Sequence, residues 1–305
     1  MSNKPTAEAI TNGPSAPAPA HEPTDAVLVS FAVQGDHTAL AALVRRHQGF
    51  VYSLAHRMLF SPEDAADATQ EILVRIITKL DSFRGEAAFR TWAYRIAVRH
   101  LLAMSKGRVE QRVHDFSCFG RTLDATPDLD PPDAGSLPVD VKLVIEEAKV
   151  GCLMAMLLCL DREHRMAFVL GEIFEVSDTV AAEVLGISCA NARQRLFRAR
   201  QQLRHFLTGR CGLLDERGSC RCARKTRGFI QQGIVDPARL RFSPIHLDRA
   251  RKASTEGVRV LQGCVEQAYA ELLRGQPLTE SVDFAAILRT VLEQGDVRRA
   301  LDLEN

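Results

Sequence analysis

The sequence predicts an all-α protein: two helical bundle domains joined by a flexible acidic linker, the second carrying a helix-turn-helix, followed by a helical extension. Three observations predict it. Apolar residues recur at helical spacing over most of residues 25–207, and no segment alternates convincingly as a strand would. A stretch rich in proline and aspartate, residues 115–140, interrupts that pattern. Beyond it, a short helix, the turn Leu185-Gly186-Ile187 and a longer helix follow one another in helix-turn-helix order.

Residues 1–24 are rich in Ala, Pro and Thr and hold no apolar block, so they read as a disordered tail, neither a secretory signal nor an anchor. The first domain is expected over residues 25–108, with helices at 25–33, 36–59, 62–80 and 87–104. Ser61 precedes Pro62, Glu63 and Asp64, which is how a capped helix with acids at its positive end begins. Arg84-Gly85 breaks the helical pattern before the fourth helix. Residues 109–140 form the linker, with Pro127, Pro131, Pro132 and Pro138 set among Asp124, Asp128, Asp130 and Asp133. The second domain is expected over residues 141–210. Residues 211–305 are a cysteine-bearing loop and an extension with amphipathic helices near 246–274 and 282–294, the former with Val258, Leu261, Val265, Ala268 and Leu272 on its apolar face.

Composition restricts the class further. No apolar run approaches the ~18–20 residues that span a bilayer, so no membrane insertion is expected. Without an export signal the chain should stay in the cytoplasm, where eight cysteines are better read as thiols or metal ligands than as disulfides. A formal charge of +1 argues neither for nor against nucleic acid. Its distribution is more telling.

The second helix of the helix-turn-helix sorts by face. Ala192, Leu196, Ala199 and Leu203 form a core stripe, while Arg193, Gln194, Phe197 and Arg198 fall away from its middle. Six arginines and no acid lie between Ser188 and Arg210. A merely solvated face mixes signs, and this one does not. Arginine contacts phosphate and reads guanine edges through paired N–H groups, so the helix suits a major groove.

A second basic segment alternates with aromatics. Arg84, Arg90, Arg95, Arg99, Lys106 and Arg108 surround Phe89, Trp92 and Tyr94, and Glu86 is its only acid. Cations that follow a backbone, with flat side chains for unstacked bases, suit single-stranded or melting DNA, although Phe89 and Trp92, three apart, also read as core. Before it, Ala65, Ala68, Ile72, Ile76 and Leu80 share one stripe of a helix. Asp67, Glu71, Val74 and Thr78 lie opposite with Gln70 beside them, and a valine exposed among acids hints at a partner surface.

Together these residues resemble the extracytoplasmic-function (ECF) group of bacterial sigma factors. The stretch 64–71, Asp-Ala-Ala-Asp-Ala-Thr-Gln-Glu, resembles the family's polymerase-binding helix. Phe83-Arg84-Gly85 with Phe89 to Ala97 resembles its minus-ten segment, and Asn191 to Arg200 its minus-thirty-five recognition helix. The three occur in the family's order over about residues 25–207. The resemblance implies that Asp67, Gln70, Glu71 and Val74 bind core RNA polymerase. It implies that Arg84, Phe89, Arg90, Trp92, Tyr94, Arg95 and Arg99 engage the minus-ten element and hold a flipped base. Asn191, Arg193, Gln194, Phe197 and Arg198 would read minus-thirty-five duplex, and the acidic linker would lie in the RNA exit path. An anti-sigma factor is a further partner it allows. The chain departs from the family at Arg99, where Asn is common, and at Cys189-Ala190-Asn191-Ala192, where Pro-Gly-Thr-Val is usual.

His205, Cys211, Cys220 and Cys222 read H-x5-C-x8-C-x-C, one imidazole and three thiolates suited to a structural, tetrahedral zinc. Gly212 and Gly218 would let the loop fold back. Cys152 and Cys159, seven apart on a helix, read as core. Neither a phosphate-binding glycine loop nor a nucleophile elbow nor a metal-hydrolase motif occurs, and the chain is read as no enzyme. Two other readings stand beside the promoter factor: a stand-alone helix-turn-helix regulator, and a zinc- or redox-sensing interaction protein.

Overall fold

The computed structural model describes residues 22–242, 244, 247–248, 251–252, 265–274 and 283–286. Most of the predicted tail, Cys264, Val258, Leu261 and most of the helix expected at 282–294 lie outside the described residues.

The first bundle contains α1 (Asp25–Val33), α2 (His37–Leu59), α3 (Pro62–Thr78) and α4 (Phe89–Ala103). Each of the first three starts where a side-chain oxygen meets an unpaired backbone N–H. Thr24 accepts from Val27, Asp36 from Thr38 at 2.8 Å and Ala39 at 3.1 Å, and Ser61 from Asp64 at 3.1 Å. The predicted stripe on α3 is the buried one: Ala65, Ala68 and Ile72 are wholly buried, and Ile76 and Leu80 nearly so. Its alanines face a long α2 that itself buries Val51, Leu54, Ala55 and Met58, and small side chains let the two helices approach closely.

The predicted linker is helical in its first half. After α5 (Arg108–Arg112), α6 (Phe116–Ala125) begins at Asp115, whose carboxylate accepts from the Cys118 N–H at 2.6 Å. Phe119 and Leu123, one turn apart, are buried, so this part of the 109–140 segment follows its apolar spacing, and the proline-rich remainder stays non-helical.

The second bundle is α7 (Val141–Leu158), α8 (Arg162–Phe168), α9 (Asp178–Leu185) and α10 (Cys189–Leu207). Gly186 takes the left-handed conformation, φ 67°, that turns α9 into α10, and Ser188 caps α10 by accepting from Asn191 at 3.2 Å. Between α8 and α9 a widened turn, Val169–Ile173, carries the buried Glu172. The extension contributes α11 (Cys222–Gln231), packed on α7, and α12 (Val265–Arg274), packed on α7, α10 and the widened turn.

The two bundles share one continuous apolar core rather than standing apart on a tether. α4 lies on α9, and α2 lies on α7. Two buried arginines bind the parts together. Arg165 donates to the carbonyls of Leu157, Leu158 and Leu160 in its own bundle and to that of Met58 in the other. Arg57 of α2 donates to the Leu273 carbonyl of α12 at 2.8 Å and lies 5.5 Å from the Phe174 ring. Removal from water pulls its pKa down to about 10, which leaves the guanidinium charged. Buried arginines need such carbonyl partners, because an unpaired buried charge is far costlier than the pair is favourable.

Candidate nucleic-acid interface

On α10 the predicted sorting holds. Ala192, Ala199 and Leu203 are buried and Leu196 packs against the core, while Asn191, Arg193, Gln194, Phe197 and Arg198 all face outward. Phe197 is 56% exposed, an apolar ring standing among cations at the surface. That combination offers contacts to phosphate, to base edges and to a thymine methyl from one helical face. Asp178, at the start of α9, is 3.8 Å from Arg193.

The other arginines of α10 are engaged with protein. Arg195 pairs with Glu163 at 2.8 Å, Arg200 donates through Nε to Glu172 at 2.7 Å, and Arg204 donates through Nε to Glu266 of α12 at 3.0 Å. These three lie toward the flank that meets α8, the widened turn and α12. The outward and inward arginines thus divide by face, and the residues predicted for duplex reading are the outward ones.

The segment predicted to handle melted DNA is more mixed. Arg84, Arg90 and Arg99 are exposed and Trp92 is half-buried against Phe83 and Phe89, with ring centroids 5.6 and 5.4 Å away. Phe89 and Tyr94, predicted as base-stacking residues, are core residues at 3% exposure each. Phe89 packs on His47 and Phe83, and Tyr94 on Phe50 and Phe174, so each ring meets an aromatic side chain of α2 rather than solvent. Arg90 lies over the Phe50 and Tyr94 rings. Arg95 is paired with Glu183 of α9, so the helix-turn-helix covers this edge of α4.

The predicted polymerase-binding residues share a surface. Asp67, Gln70, Glu71, Val74, Arg75 and Thr78 line one shallow groove along α3. His100 of α4 stands 3.5 Å from Glu71 at its edge.

The predicted zinc set is not assembled. α10 stays helical through Leu207, and His205 falls on its solvent face with Gln201 and Thr208. Cys211 and Cys220 instead fold back beside each other, with Cys220 against the cluster that holds Val144 and Ala148 of α7. Among the described residues no three His, Cys, Asp or Glu side chains stand where they would hold one metal ion.

Comparison with known proteins joins the surfaces. The family model described as Sigma-70 region 2 matches residues 43–107, and that described as Sigma-70, region 4 matches residues 151–203. The ECF RNA polymerase sigma-E factor of Escherichia coli K12 is 31% identical over 185 residues, 59% of this chain and 92% of that protein. The chain belongs to the ECF sigma factor family. The ECF RNA polymerase sigma factor SigE of Mycolicibacterium smegmatis is likewise 31% identical, over 62% of this chain and 70% of that protein. Among solved structures, that of CnrH in complex with the cytosolic domain of CnrY matches at 24% identity and TM-score 0.42, covering 60% of this chain and 96% of that one.

The sigma factor directs RNA polymerase to promoters in transcription initiation. Its region 2 contains α3 and α4, and its region 4 contains α8, α9 and most of α10; α11 and α12 lie beyond both matched segments. No helix among the described residues is long and apolar enough to cross a membrane.

Several residues that matter to this arrangement gave no sequence signal. Glu110, Arg162 and Arg165 form a buried ion-paired group joining α5 to α8, and Glu172 is shared by Arg200 and Arg274. Their spacing in sequence is irregular. Only the rarity of buried charge marks them out, and burial is a property of the fold.

Proposed function

We propose that this sigma factor divides promoter recognition between the two outward surfaces. Asn191, Arg193, Gln194, Phe197 and Arg198 read the minus-thirty-five element as duplex. Arg84, Arg90, Trp92 and Arg99 engage the minus-ten strand as it separates, with Phe89 and Tyr94 as the packing beneath them. The α3 groove around Asp67, Gln70, Glu71 and Val74 receives core polymerase. The protein catalyses no reaction of its own and acts in the cytoplasm, where its polymerase is.

The observation that carries this reading is the sorting of α10. Phe197 and Arg198 stand exposed beside Arg193 and Gln194, while the arginines on the other flank are neutralised by Glu163, Glu172 and Glu266. A helix that was only solvated would have no reason to neutralise one flank and leave a basic, aromatic face open.

The closed packing of α4 on α9 is the stored form of the free protein. Region 2 and region 4 must separate to reach two promoter elements at once, so polymerase binding selects an opened arrangement. Such a shift needs only a difference in affinity between the two states, supplied here by surfaces that polymerase uses in the open one.

Run-off transcription with purified core polymerase and a genomic promoter pool tests the assignment. Specific starts that depend on the added protein are expected, and core binding without specific starts contradicts it. A stand-alone regulator would instead protect duplex DNA without polymerase and leave start sites unchanged.

A further inference from the structure

We infer that the extension beyond α11 is an inhibitory wedge carried within the chain, seated in the seam between region 2 and the second bundle and holding the two closed. The inference rests on the reading that the closed packing is the stored form, and it names what keeps that form shut.

Three described segments of the extension reach this seam, and each of them touches region 2. In the first, the N–H groups of Arg241 and Phe242 donate to the Glu147 carboxylate of α7 at 2.9 and 3.2 Å. The same two side chains meet region 2: the Phe242 ring lies 6.3 Å from that of His56, and the Arg241 guanidinium 5.5 Å from the Phe60 ring. In the last, the Ala285 N–H donates to Oε1 of Gln48 at 3.2 Å, and the Phe284 ring lies 6.2 Å from that of Tyr52. Phe284 and Ala285 are almost wholly buried there.

Between them lies α12, and of its ten residues only Gln267 is exposed. Toward the second bundle, the Tyr269 hydroxyl donates to the Leu153 carbonyl at 2.7 Å and its ring lies 5.7 Å from that of Phe168. Arg274 donates through Nε to the Glu172 carbonyl at 2.7 Å. Toward region 2, the Leu273 carbonyl accepts from Arg57 at 2.8 Å. That carbonyl belongs to the last turn of α12, where no partner exists within the helix, so the buried guanidinium and the helix end satisfy each other. A single ten-residue helix cannot follow both bundles, and parting them must break one of these two sets of contacts.

The chemistry of α2 shows which set is built to part. Gln48, Tyr52 and His56 recur at every fourth residue and so share one face. Gln48, Ser53, His56 and Arg57 are all buried, although each has a side chain that water would satisfy. A seam that never opened would be lined by apolar groups. One that is also wetted in a second arrangement carries polar ones, as contacts between movable domains do. The wedge therefore stays with the second bundle and releases α2. Contacts made only in the closed form lower the fraction of protein able to take up polymerase, and the apparent affinity falls by that fraction.

The test uses full-length protein and core polymerase. Ala285→Glu sets a carboxylate against Gln48 of α2 and lies in neither the α3 groove nor a promoter surface. It should raise the apparent affinity for core about tenfold, read by titration of labelled core, with far-UV circular dichroism checking the fold. Unchanged affinity in a folded variant overturns the inference. Hydrogen exchange on the wild type depends on no variant folding. The amides of residues 283–286 should be protected in the free protein and lose that protection when core binds. Protection that persists in a complex starting transcripts also overturns the wedge, while the promoter reading is judged separately, by whether specific starts appear at all.

Discussion

Arg204 on the recognition helix and Glu266 on α12 hold each other across 62 residues of chain, with Nε 3.0 Å from Oε2 and the carboxylate almost wholly buried. The same helix α12 donates from the Tyr269 hydroxyl to the Leu153 carbonyl at 2.7 Å and accepts at the Leu273 carbonyl from Arg57 of region 2. One helix of the extension thus touches both promoter-handling domains while they are closed.

Glu266→Ala should therefore favour the open form. A half-exposed pair contributes on the order of 1 kcal/mol, so affinity for core polymerase should rise about fivefold. Fluorescence anisotropy with labelled core measures it. Unchanged affinity would mean that α12 does not hold the closed form.

Arg198→Ala should weaken binding to a minus-thirty-five duplex by about 1–3 kcal/mol if the residue reads a base edge, and flatten discrimination at one position. Gln201→Ala, on the same outward face but nearer the C-terminal end of α10, should change less, because base edges are read from the first turns of such a helix. Competition titrations over single-base variants of the duplex, at several salt concentrations, separate base reading from phosphate contact. A uniform loss across all variants with a salt slope smaller by about one would assign Arg198 to phosphate instead.

Trp92→Ala should leave duplex binding intact and slow strand opening, read as permanganate reactivity of minus-ten thymines in the polymerase complex. Because Trp92 leans on Phe83 and Phe89, thermal unfolding of the variant reports the packing loss separately. Equal defects in binding and opening would contradict the division of labour between α4 and α10.

Val74→Glu places a charge in the α3 groove between Gln70 and Thr78. Core binding should fall about tenfold or more, since one unpaired charge in an interface costs more than ~1.4 kcal/mol. The free protein's stability should barely change, because Val74 is only half-buried. Pull-down of core polymerase beside a melting curve measures both.

Much of this was legible in the sequence, for a physical reason. Helix limits on α1, α2, α3 and α10 follow from caps and apolar spacing, and both signals are local. The outward face of α10 was readable because its core stripe, Ala192 to Leu203, fixes which way the rest must point. Phe89 and Tyr94 misled because an aromatic residue amid cations looks the same in sequence whether its ring is buried or free. His205 misled because proximity in sequence to Cys211 says nothing about side once the helix continues. The packing of the bundles, and the approach of α12 to both of them, depend on contacts between distant residues that no local pattern encodes.

Glu110 offers a pH test of how α5 is tied to region 4. Burial opposes its ionisation, but the guanidinium groups of Arg162 and Arg165 outweigh it and hold its carboxyl below the ordinary 4.5. A carboxylate whose folded pKa is the lower one contributes fully above its unfolded value, and the contribution is lost as pH falls through the folded value. Glu110→Gln should cost about 3–5 kcal/mol near neutral pH, the effect of removing one partner from a buried ion pair. That cost should shrink as the medium is taken below the ordinary carboxylate range. Urea unfolding at two pH values measures it, and an equal penalty at both would show that Glu110 acts through shape rather than charge.

The most direct measurement of the central claim is the separation of region 2 from region 4, with fluorophores introduced at the exposed Arg45 of α2 and Gln202 of α10 through non-natural amino acids so that the native thiols stay untouched. Free protein should give the short separation of the closed form, and adding core polymerase should shift it to a long one as specific transcription appears. A separation that stays short in a complex actively starting transcripts would contradict the claim that region 2 and region 4 part to grip their two promoter elements.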